Sequence, residues 1–439
     1  MKRRSLLMGA AAVPVSLALP TGLARADTAT RGKLTIWLGY PETAEAYRMA
    51  QAEFSKTYPN VQVELLTFEL REFEAKLAIS VPTGSGPDIL ALHDFLFPRY
   101  HESGALDAVP ADLAQVVNDP RVIDTPFKNV VTRDGRPWGV PWWSGRNALF
   151  CNLDHLREAG LSGPPTSYDE IWTHAQKLAK RNANGELTRA GISLRKTGPS
   201  GVTQKFVYFY YQLAGVQMLE PGSKPGTVRS TIREKIDAAG RVMLDHVEHL
   251  HGPKKSDDWA LRADAQGFAS GDQSMFMRES WVIPFVKKNG PTINFSVSPI
   301  PRGFAWGAFN LIQIMSVNKD SRLKNAAWDF IRVMQGQPIL NNVLESSGWI
   351  PLRKDRDYSA ILAQEPRYGS MINTPAGQTQ YLEAPNTAYE EVTTRMGEVI
   401  QTAFRDASIV GNMDAAKRTM MRVHDVAARV LRDQGIFAE

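Results

Sequence analysis

Lys33-Leu34-Thr35-Ile36-Trp37-Leu38 opens the stretch that decides the fold, and Pro87-Asp88-Ile89-Leu90-Ala91-Leu92 closes it. In the first segment apolar residues fall at 34, 36 and 38, the two-residue period of a strand. Tyr47, Ala50, Phe54 and Tyr58 then recur at helical spacing, and Pro59-Asn60 stops that helix. Val61, Val63 and Leu65 alternate as a second strand, and Leu70, Phe73 and Leu77 mark a second helix. Ile89 to Leu92 is all apolar, as a strand covered on both faces should be. Strand, helix, strand, helix, strand in this order predicts parallel βαβ units and an α/β fold. Ligands collect at the carboxyl ends of such strands. Those ends are Gly39-Tyr40-Pro41-Glu42 and His93-Asp94-Phe95.

The residues ahead of this stretch read as an address. Lys2, Arg3 and Arg4 precede an apolar run from Leu6 to Leu19, and Ala24-Arg25-Ala26 has the small-x-small pattern of a cleavage site. Arg3-Arg4-Ser5-Leu6-Leu7 fits a twin-arginine signal, with a Sec signal as the alternative. Residues 1–26 are therefore expected to be a signal peptide. They hold Lys2, Arg3, Arg4 and Arg25 and no acid, so they carry most of the formal charge of +5. The near-neutral remainder gives no reason to expect nucleic-acid or membrane binding. No Cys follows the apolar run, so a lipoprotein anchor has no attachment point, and a soluble periplasmic protein is expected. The sole cysteine, Cys151, rules out an internal disulfide and is expected to be a small buried apolar residue.

Further along, Tyr168, Ile171, Trp172, Ala175 and Leu178 make a helix face with Ser167 as N-cap. Leu323, Ala326, Ala327, Phe330 and Met334 form another. Met413, Ala416, Met420, Val423, Ala427 and Val430 form the last, capped by Asn412. His246, Glu248, His249 and His251 resemble a metal cluster in type, but the polar run into Pro253-Lys254-Lys255 predicts a solvated helix end.

Ordered segments along the chain resemble the family 1 extracellular solute-binding proteins, the group that holds maltose- and glycerol-phosphate-binding proteins. They are Phe54 to Val61, Gly84-Ser85-Gly86-Pro87-Asp88-Ile89 and Asp134-Gly135-Arg136-Pro137-Trp138-Gly139-Val140-Pro141. Glu158-Ala159-Gly160-Leu161, Pro164 to Glu170, Phe268 to Met275 with Trp281, Ala326 to Ile331, and Gly348-Trp349-Ile350-Pro351-Leu352-Arg353 follow in family order. Two positions depart from the pattern: Trp306-Gly307-Ala308-Phe309-Asn310 replaces the usual glycine pair, and Cys151 stands in place of a tyrosine.

The resemblance implies a two-lobed periplasmic binding protein fold of type II, with several interlobe crossings near 147–150, 308–312 and 352–356. The ligand cleft would lie between an N-terminal lobe of 31–147 plus 311–352 and a C-terminal lobe of 148–310 plus 353–439. It also implies the receptor of an ABC importer: a monomer that binds a small carbohydrate-like ligand, closes and docks on permease transmembrane subunits, with no cofactor, metal or bond-making step. A secreted carbohydrate-active enzyme and a non-transport sensor are the alternatives. Sequence signatures of a serine-hydrolase elbow, a zincin helix and a P-loop do not occur in the chain.

A sugar site needs aromatic platforms and a few placed polar groups. Candidate ligand residues are Tyr40, Glu42, His93 and Asp94 at strand ends. Trp142, Trp143 and Arg146 precede the first crossing, and at least one of the tryptophans is expected to face the cleft. Trp306 and Phe309 lie at the second crossing. By family position, Trp281 is a stacking residue and Arg353 an anion partner or brace. Replacing Arg3 and Arg4 together by Lys is expected to abolish export by the twin-arginine route. Unchanged periplasmic yield would assign the segment to Sec.

Overall fold

The computed structural model describes residues 27–439 except 263 and 385; the expected signal segment lies outside the described residues. Strands Gly32–Leu38 and Val61–Thr67 run parallel, with Leu34 opposite Val63 and Ile36 opposite Leu65. Ile89–His93 joins the other edge of the first strand, in parallel. The helices between them, Ala44–Thr57 and Leu70–Ser80, bury the residues that set their period, including Tyr47, Ala50, Phe54, Phe73 and Leu77. The opening βαβαβ reading therefore holds strand by strand.

Two long strands then carry the chain through the molecule. Val140–Asn152 is buried along its whole length. Gly307–Val317 lies antiparallel to it, pairing Asn310 with Arg146, Leu311 with Gly145 and Ile312 with Ser144, with a bulge between Gln313 and Ile314. At one end Gln313–Val317 pairs with Ile89–His93, and Ile350–Pro351 pairs with Ser144 and Trp143. At the other end Asn147–Cys151 pairs with Met275–Glu279, Leu149–Asn152 with Phe295–Ser298, and Gly307–Phe309 with Thr379–Tyr381. Each long strand thus belongs to two sets of neighbours, one at each end.

Alternation along Val140–Asn152 sends successive side chains to opposite faces. Ala148 and Phe150 join one hydrophobic cluster, where Phe276 packs on Phe150. Leu149 and Cys151 join another, built from helices Tyr168–Leu178, Pro199–Ala214, Ile236–Leu250, Tyr389–Ala403 and Met413–Asp433. Cys151 is fully buried there, and burial raises its thiol well above its ordinary pKa. Ser167 and Glu170 form a reciprocal cap on the first of these helices, and the Asn412 side chain accepts from the Ala415 N–H at 3.0 Å.

The stretch around His246 corrects an expectation. It is part of the buried helix Ile236–Leu250 and not a solvated end. His246 stacks on Phe404 at 5.3 Å, and its Nδ1 lies 2.8 Å from the Val242 carbonyl oxygen. His249 Nδ1 lies 2.7 Å from Ser256 Oγ. Burial lowers the pKa of His246 to about 4 and of His249 to about 3. Both imidazoles are neutral packing groups, because the helix is covered by its neighbours where the sequence shows only polarity.

Trp142 and Trp143 are both fully buried, so neither is exposed to a cleft. The inference from a tryptophan doublet fails because this strand is covered on both faces. Trp142 Nε1 donates to the Met334 carbonyl at 3.2 Å, and Tyr47 packs edge-on against its ring. Trp142→Ala is expected to cost about 3–5 kcal/mol of unfolding free energy, read by denaturant titration, while ligand affinity stays unchanged.

Candidate functional site

An open cleft of about 980 Å3 runs across the face of the crossing strands that carries Leu311. One wall begins where the first strand ends. Tyr40 follows Gly39 there, and the turn Pro41–Thr43 presents Glu42. The Tyr40 ring stands edge-on to His93, Trp143 and Trp349, with centroids 4.9, 5.2 and 5.4 Å away. Trp143 and Trp349 stack at 4.5 Å, nearly parallel. Gly145 makes room for this stack, because a Cβ there would meet Trp349 Cζ3 at 2.5 Å. Trp349 Nε1 donates to Glu42 Oε1 at 3.1 Å. Removal from water raises the Glu42 pKa above its ordinary value, and the hydrogen bonds it accepts offset part of that.

The opposite wall is built on strand Met275–Glu279 and helix Val282–Asn289. Trp281 sits at their junction, half-buried, with Phe285 edge-on at 5.6 Å and the Arg278 guanidinium 5.0 Å from the ring centroid. Glu279 lies behind it, 3 % exposed. It accepts from Lys205 Nζ, from the Tyr208 hydroxyl at 2.5 Å and from Trp281 Nε1 at 3.2 Å. Burial pushes the Glu279 pKa up. The charges of Lys205 and Arg278 and these hydrogen bonds overcome that and hold the carboxyl well below the usual range. Helix Pro199–Ala214 supplies Gln204 and Lys205 to this wall.

The walls approach each other at two places. Gly348, in the left-handed region at φ 77°, leaves no space for a side chain: a Cβ would lie 2.9 Å from Trp281 Cα and from the Ser280 carbonyl oxygen. Arg71, from helix Leu70–Ser80, pairs with Glu74 at 2.7 Å and with Glu390 of helix Tyr389–Ala403 at 2.6 Å. Phe95 stacks on Tyr389 beside that pair, at 5.0 Å.

Of the candidate residues, the structure places Tyr40, Glu42 and Trp281 on the cleft surface. Trp143 and His93 lie one layer beneath, under Tyr40. Asp94 is buried; its Oδ1 accepts the Ile312 N–H at 3.1 Å, and burial raises its pKa to about 7. Phe309 packs between Tyr208 and Tyr381, and Trp306 Nε1 donates to the Ile300 carbonyl at 2.7 Å. Neither lines the cleft. Arg146 and Arg353 line a separate cavity. Arg146 follows Gly145, and consecutive strand residues point to opposite faces. Sequence reasoning passed over Arg71, Lys205, Arg278, Glu279, Trp349 and Glu390. Trp349 sat inside a quoted segment, four residues before Arg353, the residue that was chosen. Lys205 was hidden in a helix with too many apolar residues to show a polar face.

Two α/β cores joined by long shared strands, with an aromatic and charged cleft over the junction, define a two-lobed ligand-binding protein of the type II fold. The chain belongs to the bacterial extracellular solute-binding proteins, whose family model matches residues 40–338. It is 22% identical over 378 residues to the lactose-binding protein of Rhizobium radiobacter, covering 83% of this chain and 81% of that one. Its fold is that of an ABC transporter solute-binding protein from Thermotoga lettingae TMO bound with alpha-D-tagatose (TM-score 0.73, 18% identity, 91% of this chain and 100% of that chain). An ABC substrate-binding protein from Listeria monocytogenes in complex with cycloalternan is also similar (TM-score 0.72, 15% identity, 93% of this chain and 100% of that chain).

A depressed carboxyl pKa stabilises the folded state above the unfolded-state pKa, and that contribution is lost as pH falls through the carboxylate range and below. Glu279 is such a group. Glu279→Gln is expected to lower stability at neutral pH, because Lys205 loses its counter-charge. It should also flatten the loss of stability between about pH 5 and pH 3, measured by denaturant midpoints across that range. An unchanged slope would remove Glu279 from the acid-sensitive set.

Proposed function

We propose that this chain is the periplasmic receptor of an ABC importer and captures a carbohydrate-like solute in the cleft. The observation that carries this reading is the cleft's chemistry. Tyr40 on one wall, backed by the buried Trp349, and Trp281 on the other offer apolar ring surface, and Glu42, Gln204, Ser346 and Asn289 stand among them as polar groups for hydroxyl edges. Relatives named for sugars, with lactose-binding protein among them, support the ligand class. Among the described residues no helix is long and apolar enough to cross a membrane. The lobes we assign are 31–147 plus 311–352 and 148–310 plus 353–439. Arg71–Glu390 and Phe95–Tyr389 are the contacts that closure makes and opening breaks. No bond is made or broken in this cycle.

A melting screen of the exported protein over neutral sugars, polyols and uronic acids tests the reading, since a ligand held only by the folded state raises the melting temperature. Stabilisation by none of them would overturn it. With a ligand in hand, Trp281→Ala is expected to cost about 2 kcal/mol of binding, roughly a thirtyfold loss of affinity, with the unliganded melting temperature nearly unchanged. A large fall in melting temperature with unchanged affinity would make Trp281 a packing residue.

A further inference from the structure

The face of the crossing strands that carries Ser144 and Arg146 holds a second cavity, of about 430 Å3. Arg146, Arg353, Lys354 and Arg356 line it, with the carboxylates Asp124 and Asp357. Two of its cations are almost wholly enclosed, Arg146 at 5 % and Arg353 at 1 % exposure. Arg146 is held entirely by neutral acceptors: Asn310 Oδ1 at 3.3 Å, Thr374 Oγ1 at 3.1 Å, and Gln380 Oε1. Burial lowers its pKa to about 10, so the site strains against its charge. Arg353 grips Asp355 through Nε and Nη2 at 2.7 and 2.6 Å, which leaves Nη1 buried without a partner. Arg356 donates from Nη2 to the Gln335 carbonyl at 3.4 Å, and its Nε is likewise buried without a partner. Lys354 is matched by Asp124. Neither Arg146 nor Arg356 has a carboxylate at ion-pair distance among the described residues.

A buried guanidinium without a counter-charge is costly, and a cavity lined by Arg146, Arg353, Lys354 and Arg356 against the carboxylates of Asp124 and Asp357 suits a planar or tetrahedral oxyanion. We propose that this cavity, behind the crossing strands and separate from the sugar cleft, is a binding site for a small oxyanion of the phosphate or carboxylate type. The ligand would sit between Arg146, Arg353 and Arg356. Since Arg146 belongs to one crossing strand, and Arg353 follows the Ile350–Pro351 strand paired with it, the anion would bind where the two lobes join.

Calorimetric titration and melting of the exported protein test this, with inorganic phosphate and malonate as separate arms and chloride at matched ionic strength as reference. One arm should give saturable binding and a melting rise that chloride does not, and the stronger arm identifies the anion type. Arg356→Gln and Arg146→Gln should each weaken that binding by about tenfold or more. Arg356 makes one long hydrogen bond to protein, so its variant keeps the test informative if the Arg146 variant fails to fold. Lys288→Gln, which removes an exposed cation from the sugar cleft, should leave anion affinity unchanged. Equal stabilisation by chloride, unchanged binding in the Arg356 variant, or loss in the Lys288 variant would each overturn the proposal.

Discussion

Strands Val140–Asn152 and Gly307–Val317 share one antiparallel ladder, and that ladder is the constraint on which both halves of the molecule rest. Their backbone groups are satisfied by each other at the centre and by different partners at each end. A strand that must serve two sheets cannot spare either face. This is why all thirteen residues of Val140–Asn152 are buried, and why Gly145 and Gly307 stand at the places where Trp349 and Tyr211 press closest. The two cores then pack from outside against a backbone that is already fixed.

The cleft is shaped by the same economy. Its aromatic wall is fixed from beneath: Tyr40 rests on the Trp143–Trp349 stack, and that stack rests on the bare backbone at Gly145. Its charged wall is held by one enclosed carboxylate, Glu279, which pins Lys205, Tyr208 and Trp281 at once. Fixing rings and charges before a ligand arrives reduces the ordering cost of binding.

The opening strands and helices could be read from sequence because their periods are local. Leu34, Ile36 and Leu38, or Phe54 and Phe73, face one core and repeat accordingly. The caps at Ser167 and Asn412 were legible for the same reason. The cleft was legible at one strand end, through Tyr40 and Glu42, and at one family position, Trp281. Around 140–152 the alternation carries no polarity signal, since both faces are interior. Sequence could not tell that Gly145 faces the sugar cleft while Arg146 faces away from it. His246 looks polar in the sequence and is covered by Phe206 and Phe404, both distant along the chain. Arg71 meets Glu390 across more than three hundred residues, a pairing no local pattern encodes.

Cys151 sits near the end of strand Val140–Asn152, opposite Met275 and sealed within the second core. As the chain's lone thiol, it has no intramolecular partner, and burial keeps it protonated. In an oxidising compartment the thiol of a folded molecule is therefore chemically silent. An opened molecule exposes a single reactive group that can cross-link only to another molecule. Covalent dimers would thus act as a tally of chains that have lost their fold, written by the protein itself.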